Sequence, residues 1–337
     1  MKSIIGLSIK DRESLFQESS KKMGISPLMI EKDFWVCWTL KSLFSMPEIG
    51  DHLVFKGGTS LSKVWKAIHR FSEDIDISID RNWLGFSGEK DPEKSPSKKK
   101  RKKQIDSLAQ SCATQLKEKI LPHLVMDAKG NGIEGANFSI DPADPQTILF
   151  FYPSSILEKD SYVKKMVRIE AGSRSDVWPT QEAMIKPYIA ECFSDQITDC
   201  DVRVNALSIQ RTFWEKATIL HAEAHRPMEK ETPPRYSRHY SDLVCISKIE
   251  EGIKALENDD LRKRVVEHKC IFFESSWSSL ETATPGTFKL IPNKQRLDGF
   301  KKDYTAMAEM YFETPQSWDS ILDDLKKLES KINTARD

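Results

Sequence analysis

The stretch "FKGGTSLSKVWKAIHRFSEDIDISID", Phe55 to Asp80, packs two glycines, the adjacent hydroxyls of Thr59 and Ser60, and alternating aspartates into one short segment. Between the glycines and the aspartates, Leu61, Val64, Trp65 and Ile68 recur at i, i+3, i+4 and i+7, the spacing of one helix face. Gly57 and Gly58 therefore fall at the start of a short helix. A glycine turn there allows close backbone approach, and the unpaired amides at that end attract anions, phosphate above all. Thr59 and Ser60 add hydroxyl donors beside them. Downstream, "DIDISID" alternates strictly, which sends Asp74, Asp76 and Asp80 to one face of a strand and Ile75, Ile77 and Ile79 to the core. Carboxylates so close on one face repel each other unless a divalent cation lies between them, and hard oxygen donors suit Mg2+ or Mn2+. A glycine turn in front of a helix is common, and a DxD strand is usually just a solvated face. Strand "LVF", glycine turn, helix and DxD strand in sequence point together to a metal site that receives a phosphate.

The rest of the chain sets the bounds. Its 337 residues are 39% apolar, enough for a large core, and 51 basic against 51 acidic residues leave no whole-molecule pull toward nucleic acid or membrane. Six cysteines without a CxxC pair, and no signal-like start, lead us to expect a reducing cytoplasm. No apolar run has the length of a bilayer-spanning helix. We expect an N-terminal helical segment over 1–48, with Ser26-Pro27 opening a helix that stops before Pro47. Residues 49–207 then form the core. Within it, a polar stretch leads into a helix over roughly 99–120, residues 121–160 read as β-rich or irregular, and "YVKKMVRIEAG" and "VRVNALS" read as strands. Residues 208–337 read as a helical C-terminal domain, ending on the stripe Trp318, Ile321, Leu322, Leu325, Leu328 and Ile332.

With those motifs in hand, the segment resembles the polymerase β-like nucleotidyltransferase superfamily, and "FKGGTSLSK" with "RFSEDIDI" resembles the AbiEii/AbiGii abortive-infection toxin family. The blocks "VRIEAGSRSD", "RTFWEKATILHAEAHR" and "RHYSDLVCI" extend the likeness over roughly residues 30–250. The resemblance implies an α+β core with a mixed sheet and a reaction in which a nucleoside monophosphate passes from an NTP to an acceptor. It implies a metal held by Asp74, Asp76 and a third carboxylate, for which Glu170 in "KMVRIEAG" is the candidate. Gly57, Gly58, Thr59, Ser60 and Lys216 would bind the nucleotide, with Thr59 and Ser60 as alternative phosphate-binding hydroxyls. Asp74, Asp76, Lys216 and Asp242 would be catalytic, Asp242 as a base or an orienter. The implied role is the toxin of a toxin-antitoxin or phage-defence pair, with a cognate antitoxin protein as partner and tRNA or another translation component as acceptor. A protein acceptor, a tailing enzyme and a non-catalytic nucleotide- or RNA-binding module on the same fold are the rival readings.

Two further features bear on partners. The run Lys98 to Lys103, six consecutive basic residues, is either a solvated segment or a track for a nucleic-acid backbone, and its lack of aromatics points to phosphate contacts without base reading. His221 and His225 are four apart, but "HAEAH" lacks the HExxH order of a zinc helix.

Overall fold

In the computed structural model, which describes residues 1–156 and 164–334, the chain divides into two compact units. The first comprises Met1–Val64 with Phe71–Leu207, the second Trp65–Arg70 with Ser208–Asp337. Residues 157–160 of the expected irregular stretch, and Tyr162 and Val163 of the expected alternating run, lie outside the described residues.

The first unit is built on a seven-stranded mixed sheet: β1 (Leu53–Lys56), β2 (Ile75–Ile79), β3 (Asn137–Asp141), β4 (Asp144–Phe151), β5 (Val167–Gly172), β6 (Thr180–Ile185) and β7 (Val202–Leu207), in the spatial order β3-β4-β5-β2-β1-β7-β6. β2 is therefore central, antiparallel to β1 and parallel to β5. Its isoleucines Ile75, Ile77 and Ile79 are fully buried, as the alternation predicts, and so are Val167 and Ile169 of β5. The fold is α+β.

Ser26 caps the helix Pro27–Phe44 by accepting from Leu28 N, with Pro27 in the first turn where its missing N–H costs nothing. That helix is buried almost all round, and its Trp35 and Trp38 pack against Phe150 of β4. Three expectations need correction. The helix after the glycines ends at Lys63, earlier than the apolar spacing suggested, because Val64 closes it and Lys66 then turns at φ +49°. Residues 121–130 are helical: the helix Lys98–Gln115 passes through a π turn, Leu116–Ile120, into the helix Leu121–Gly130. Pro122 sits in the first turn of that last piece, so it marks a boundary between helical segments, not a loop. Finally, β6 carries no alternation in "TQEAMI" and was not expected; its place at the sheet edge explains the polar sequence.

The second unit is helical. Trp318, Ile321, Leu325, Leu328 and Ile332 of the helix Trp318–Thr334 are buried, while Leu322 is only half-buried at the margin of the stripe. The six cysteines are free. Among the described residues no helix is long and apolar enough to cross a membrane.

Candidate active site

The glycine turn and the aspartates meet in the first unit. β1 ends at Lys56, the helix Gly57–Lys63 begins at once, and β2 returns antiparallel with Asp76 opposite Lys56. Gly57 has φ +77°, and a Cβ built there would lie 1.9 Å from Asp76 Oδ2. The Asp76 carboxylate thus rests directly on the Gly57 backbone, a position that any side chain would fill. Asp74 immediately precedes β2, and β5 places Glu170 beside Asp76 in parallel register. Asp80 follows the end of the strand, where its side chain accepts from Asn82 N.

The hydroxyls of the motif face inward. Thr59 donates to the carbonyl of Asp74 and lies 3.0 Å from Ser72 Oγ, so it ties the glycine helix to the start of β2. Ser60 is fully buried, with its Oγ 3.4 Å from Gly57 O.

The electrostatics bear the mark of crowded carboxylates. Burial first, then the charges of Glu73 and Glu170, raise the Asp74 carboxyl to about 6; Lys32 opposes the shift and Asp76 adds to it. Lys32 acts from 2.7 Å away on Glu73. Even so, among the described residues no three His, Cys, Asp or Glu side chains are gathered as a metal cage. Glu170 Oε1 lies 3.2 Å from Arg168 Nε, and Arg168 also pairs with Asp141. In donor type and strand register the three carboxylates fit a hard divalent cation.

Lys216 and Asp242 come together in the second unit, on the helices Ile209–Ala224 and Arg238–Ser247. Lys216 Nζ is 2.8 Å from Asp242 Oδ2 and 3.0 Å from His239 Nδ1. Arg70 grips the same carboxylate with two bonds of 2.9 Å, Nε to Oδ1 and Nη2 to Oδ2. Burial opposes the charge on Asp242, but Arg70 and Lys216 overcome it and hold the carboxyl far below the usual carboxylate range. Burial lowers the Lys216 ammonium against the pull of Asp242, and burial together with Lys216 keeps His239 neutral. Asp242 is thus a charged anchor held between Arg70 and Lys216, with a neutral His239 beside the ammonium.

The family model described as "Nucleotidyl transferase AbiEii toxin, Type IV TA system" matches residues 38–324. The chain belongs to this AbiEii family. It is a nucleotidyltransferase toxin of a type IV toxin-antitoxin system, and membership implies an NTP substrate and an antitoxin partner. No curated protein matches the sequence. Among solved structures it is similar to MenT4, a nucleotidyltransferase toxin from Mycobacterium tuberculosis H37Rv, at 15% identity over 98% of this chain and 100% of that one, with a TM-score of 0.38. A likeness that loose carries no argument about the site.

The AbiEii match begins at Trp38 and so leaves out Lys32. Reading the sequence did not single out Arg70, Lys32 or Glu73. Arg70 stands in "HRFSED" with nothing in its spacing to show a partner 172 residues away. Lys32 did carry a signal: the charges of "LMIEKDFWVCW" interrupt an otherwise apolar helix. The histidine pair, by contrast, is structural. His221 Nε2 lies 3.0 Å from Ser279 O, its Nδ1 accepts from Lys289 N, and His225 Nδ1 bonds the backbone of His221.

Proposed function

We propose that this AbiEii enzyme transfers a nucleoside monophosphate from an NTP to an RNA acceptor, tRNA foremost, with Mg2+ or Mn2+ held by Asp74, Asp76 and Glu170. The observation that carries this reading is the seating of the Asp76 carboxylate on the Gly57 backbone, beside an Asp74 lifted to about 6 by its acidic neighbours. The arrangement brings anion-attracting amides and mutually repelling carboxylates within one side chain's reach, and a metal-triphosphate satisfies both.

In the reaction, the bond between the α-phosphorus and its bridging oxygen breaks, a new bond forms to the acceptor hydroxyl, and pyrophosphate leaves. The chemistry a bound metal supplies is neutralisation of the triphosphate and of the attacking oxygen. Gly57 and Gly58 offer backbone amides to phosphate, and their positioning rests on Thr59, whose buried hydroxyl favours a structural part over phosphate contact. Lys216 is assigned as the cation for charge gathering on pyrophosphate. The double grip of Arg70 favours Asp242 as the orienter of Lys216 over a role as base. The run Lys98–Lys103, exposed except at the half-buried Arg101, favours RNA over a protein acceptor. It occupies the first turn and a half of a helix whose N-terminal dipole repels cations, a placement that costs stability and is offset when phosphates approach.

The test is incubation of the purified chain with each α-labelled NTP, Mg2+ and total bacterial extract. Label in RNA with wild type and none with Asp76→Asn is the expected result. Label in protein would replace the acceptor, long labelled tails would make the enzyme a polymerase, and no label anywhere would remove the catalytic reading. In parallel, induced expression in a bacterial host should arrest growth for wild type and not for Asp76→Asn at equal level.

A further inference from the structure

The helix Pro27–Phe44 carries three consecutive charged residues, Glu31, Lys32 and Asp33, all essentially buried. Successive helical residues point about 100° apart, so the three reach in different directions. Glu31 accepts from Ser155 N at 2.6 Å and Ser155 Oγ at 2.8 Å with one oxygen and from Ser154 Oγ at 2.6 Å with the other. Lys32 Nζ donates to Glu73 Oε2 at 2.7 Å and to Lys164 O at 2.9 Å. Asp33 Oδ1 meets Lys63 Nζ at 2.8 Å, and its Oδ2 accepts from Tyr188 N at 2.6 Å. Lys63 also lies 3.7 Å from the centre of the Tyr188 ring.

Two of these grips fall on the two halves of the active-site motif. Glu73 is the neighbour of Asp74, and Lys63 is the last residue of the helix that Gly57 begins. We propose that Lys32 and Asp33 are positioning residues for nucleotidyl transfer. One rigid helix holds the glycine turn through Lys63 and the metal strand through Glu73, and so fixes the distance between phosphate amides and carboxylates. The inference rests on the proposed function.

Energetics favour geometry over stability as the reason for the clamp. A buried ion pair repays its desolvation only when well made, and apolar residues of similar volume often replace one without loss of stability. Transfer, by contrast, is sensitive to position: a misplacement of about 1 Å can cost about a hundredfold in rate. A pair kept at 3% exposure on both sides, where leucine and methionine would pack, is explained by what it aligns.

The test compares wild type, the double variant Asp33→Leu with Lys63→Met, and Lys63→Arg. Transfer is measured with a mixture of the four α-labelled NTPs, Mg2+ and total bacterial extract over a range of NTP concentrations, together with thermal melting. The double variant should fold but melt lower, because Tyr188 N loses its acceptor, with kcat down at least tenfold and the NTP KM within threefold. Lys63→Arg, which keeps the ion pair, should recover part of the loss. A folded double variant with turnover within twofold of wild type overturns the proposal. If the double variant does not fold, Lys63→Arg decides: the longer, planar head should still cost threefold or more in kcat, and unchanged turnover overturns the proposal. If neither folds, the pair is a stability element and the positioning role is wrong. No transfer by wild type would instead remove the proposed function on which the inference stands.

Discussion

Replacing Gly57 by alanine tests the seating of Asp76 most directly. The change adds one methyl group at a residue with φ +77°, where an L side chain costs about 1–2 kcal/mol. The methyl would also stand 1.9 Å from Asp76 Oδ2, 2.5 Å from Cγ and 2.9 Å from Cβ, so the whole carboxylate must move, not merely its tip. Ordinary contact begins near 3.4 Å, so the oxygen has to retreat by 1.5 Å. At about a hundredfold per ångström of misplacement, or about 2.7 kcal/mol, transfer should fall by at least two orders of magnitude. Gly85→Ala separates the two causes, because Gly85 has nearly the same backbone angle, φ +83°, with nothing within 4 Å of the added methyl. It should lower the melting temperature by a few degrees and leave turnover within twofold of wild type. The assay is label transfer from NTP at saturating Mg2+, with melting curves for all three proteins. A folded Gly57→Ala enzyme that keeps more than half of wild-type turnover would refute the close seating of Asp76 as a catalytic requirement.

Three more expectations follow from the same geometry. The folded chain holds the Asp74 proton more tightly than the unfolded chain, so the stability this proton confers is complete below pH 4 and is lost as pH rises through about 6, on the order of 3 kcal/mol in all. Mg2+ should therefore raise the melting temperature at pH 8 more than at pH 5, and an equal rise at both would argue against metal at these carboxylates. Asp242→Asn leaves Arg70 and Lys216 buried without their counter-charge and should destabilise the protein by about 3–5 kcal/mol, visible in a urea titration; a loss under 1 kcal/mol would mean the cluster is solvated. Neutralising four of the six residues Lys98–Lys103 should flatten the salt dependence of RNA binding by roughly 0.7–0.9 units of slope per lost phosphate contact, without altering NTP affinity. An unchanged slope would leave the run as solvated surface.

What the sequence disclosed was whatever depends on local spacing. The alternation of "DIDISID" is a property of the strand itself, and the buried isoleucines of β2 follow from it. Glu170 could be placed beside Asp76 only through its own alternation in β5, and the register that aligns them belongs to the sheet. The engagement of Glu170 by Arg168 was out of reach, since it depends on which way one flexible side chain turns. The inward turn of Thr59 and Ser60 was hidden for a related reason: a hydroxyl after a glycine turn reads the same whether it bonds a ligand or the backbone of the next strand. Helix ends were misjudged where tertiary demand overrode pattern. Val64, Trp65 and Ile68 continue a helical spacing past Lys63, but the chain turns at Lys66 because residues 65–70 pack with the second unit.

That detour also orders events in time. Arg70 is synthesised 172 residues ahead of Asp242, whose carboxylate it grips with two hydrogen bonds. At about 5–20 residues per second, translation separates the two by roughly 9–34 s. Throughout that interval a nascent chain carries the whole glycine-aspartate motif, yet its helical unit cannot close its central charge cluster. Ribosome-bound chains stalled before Asp242 should remain sensitive to protease at residues 65–70, and chains extended past it should become resistant there. Formation of the buried charge cluster therefore waits until Asp242 has been made.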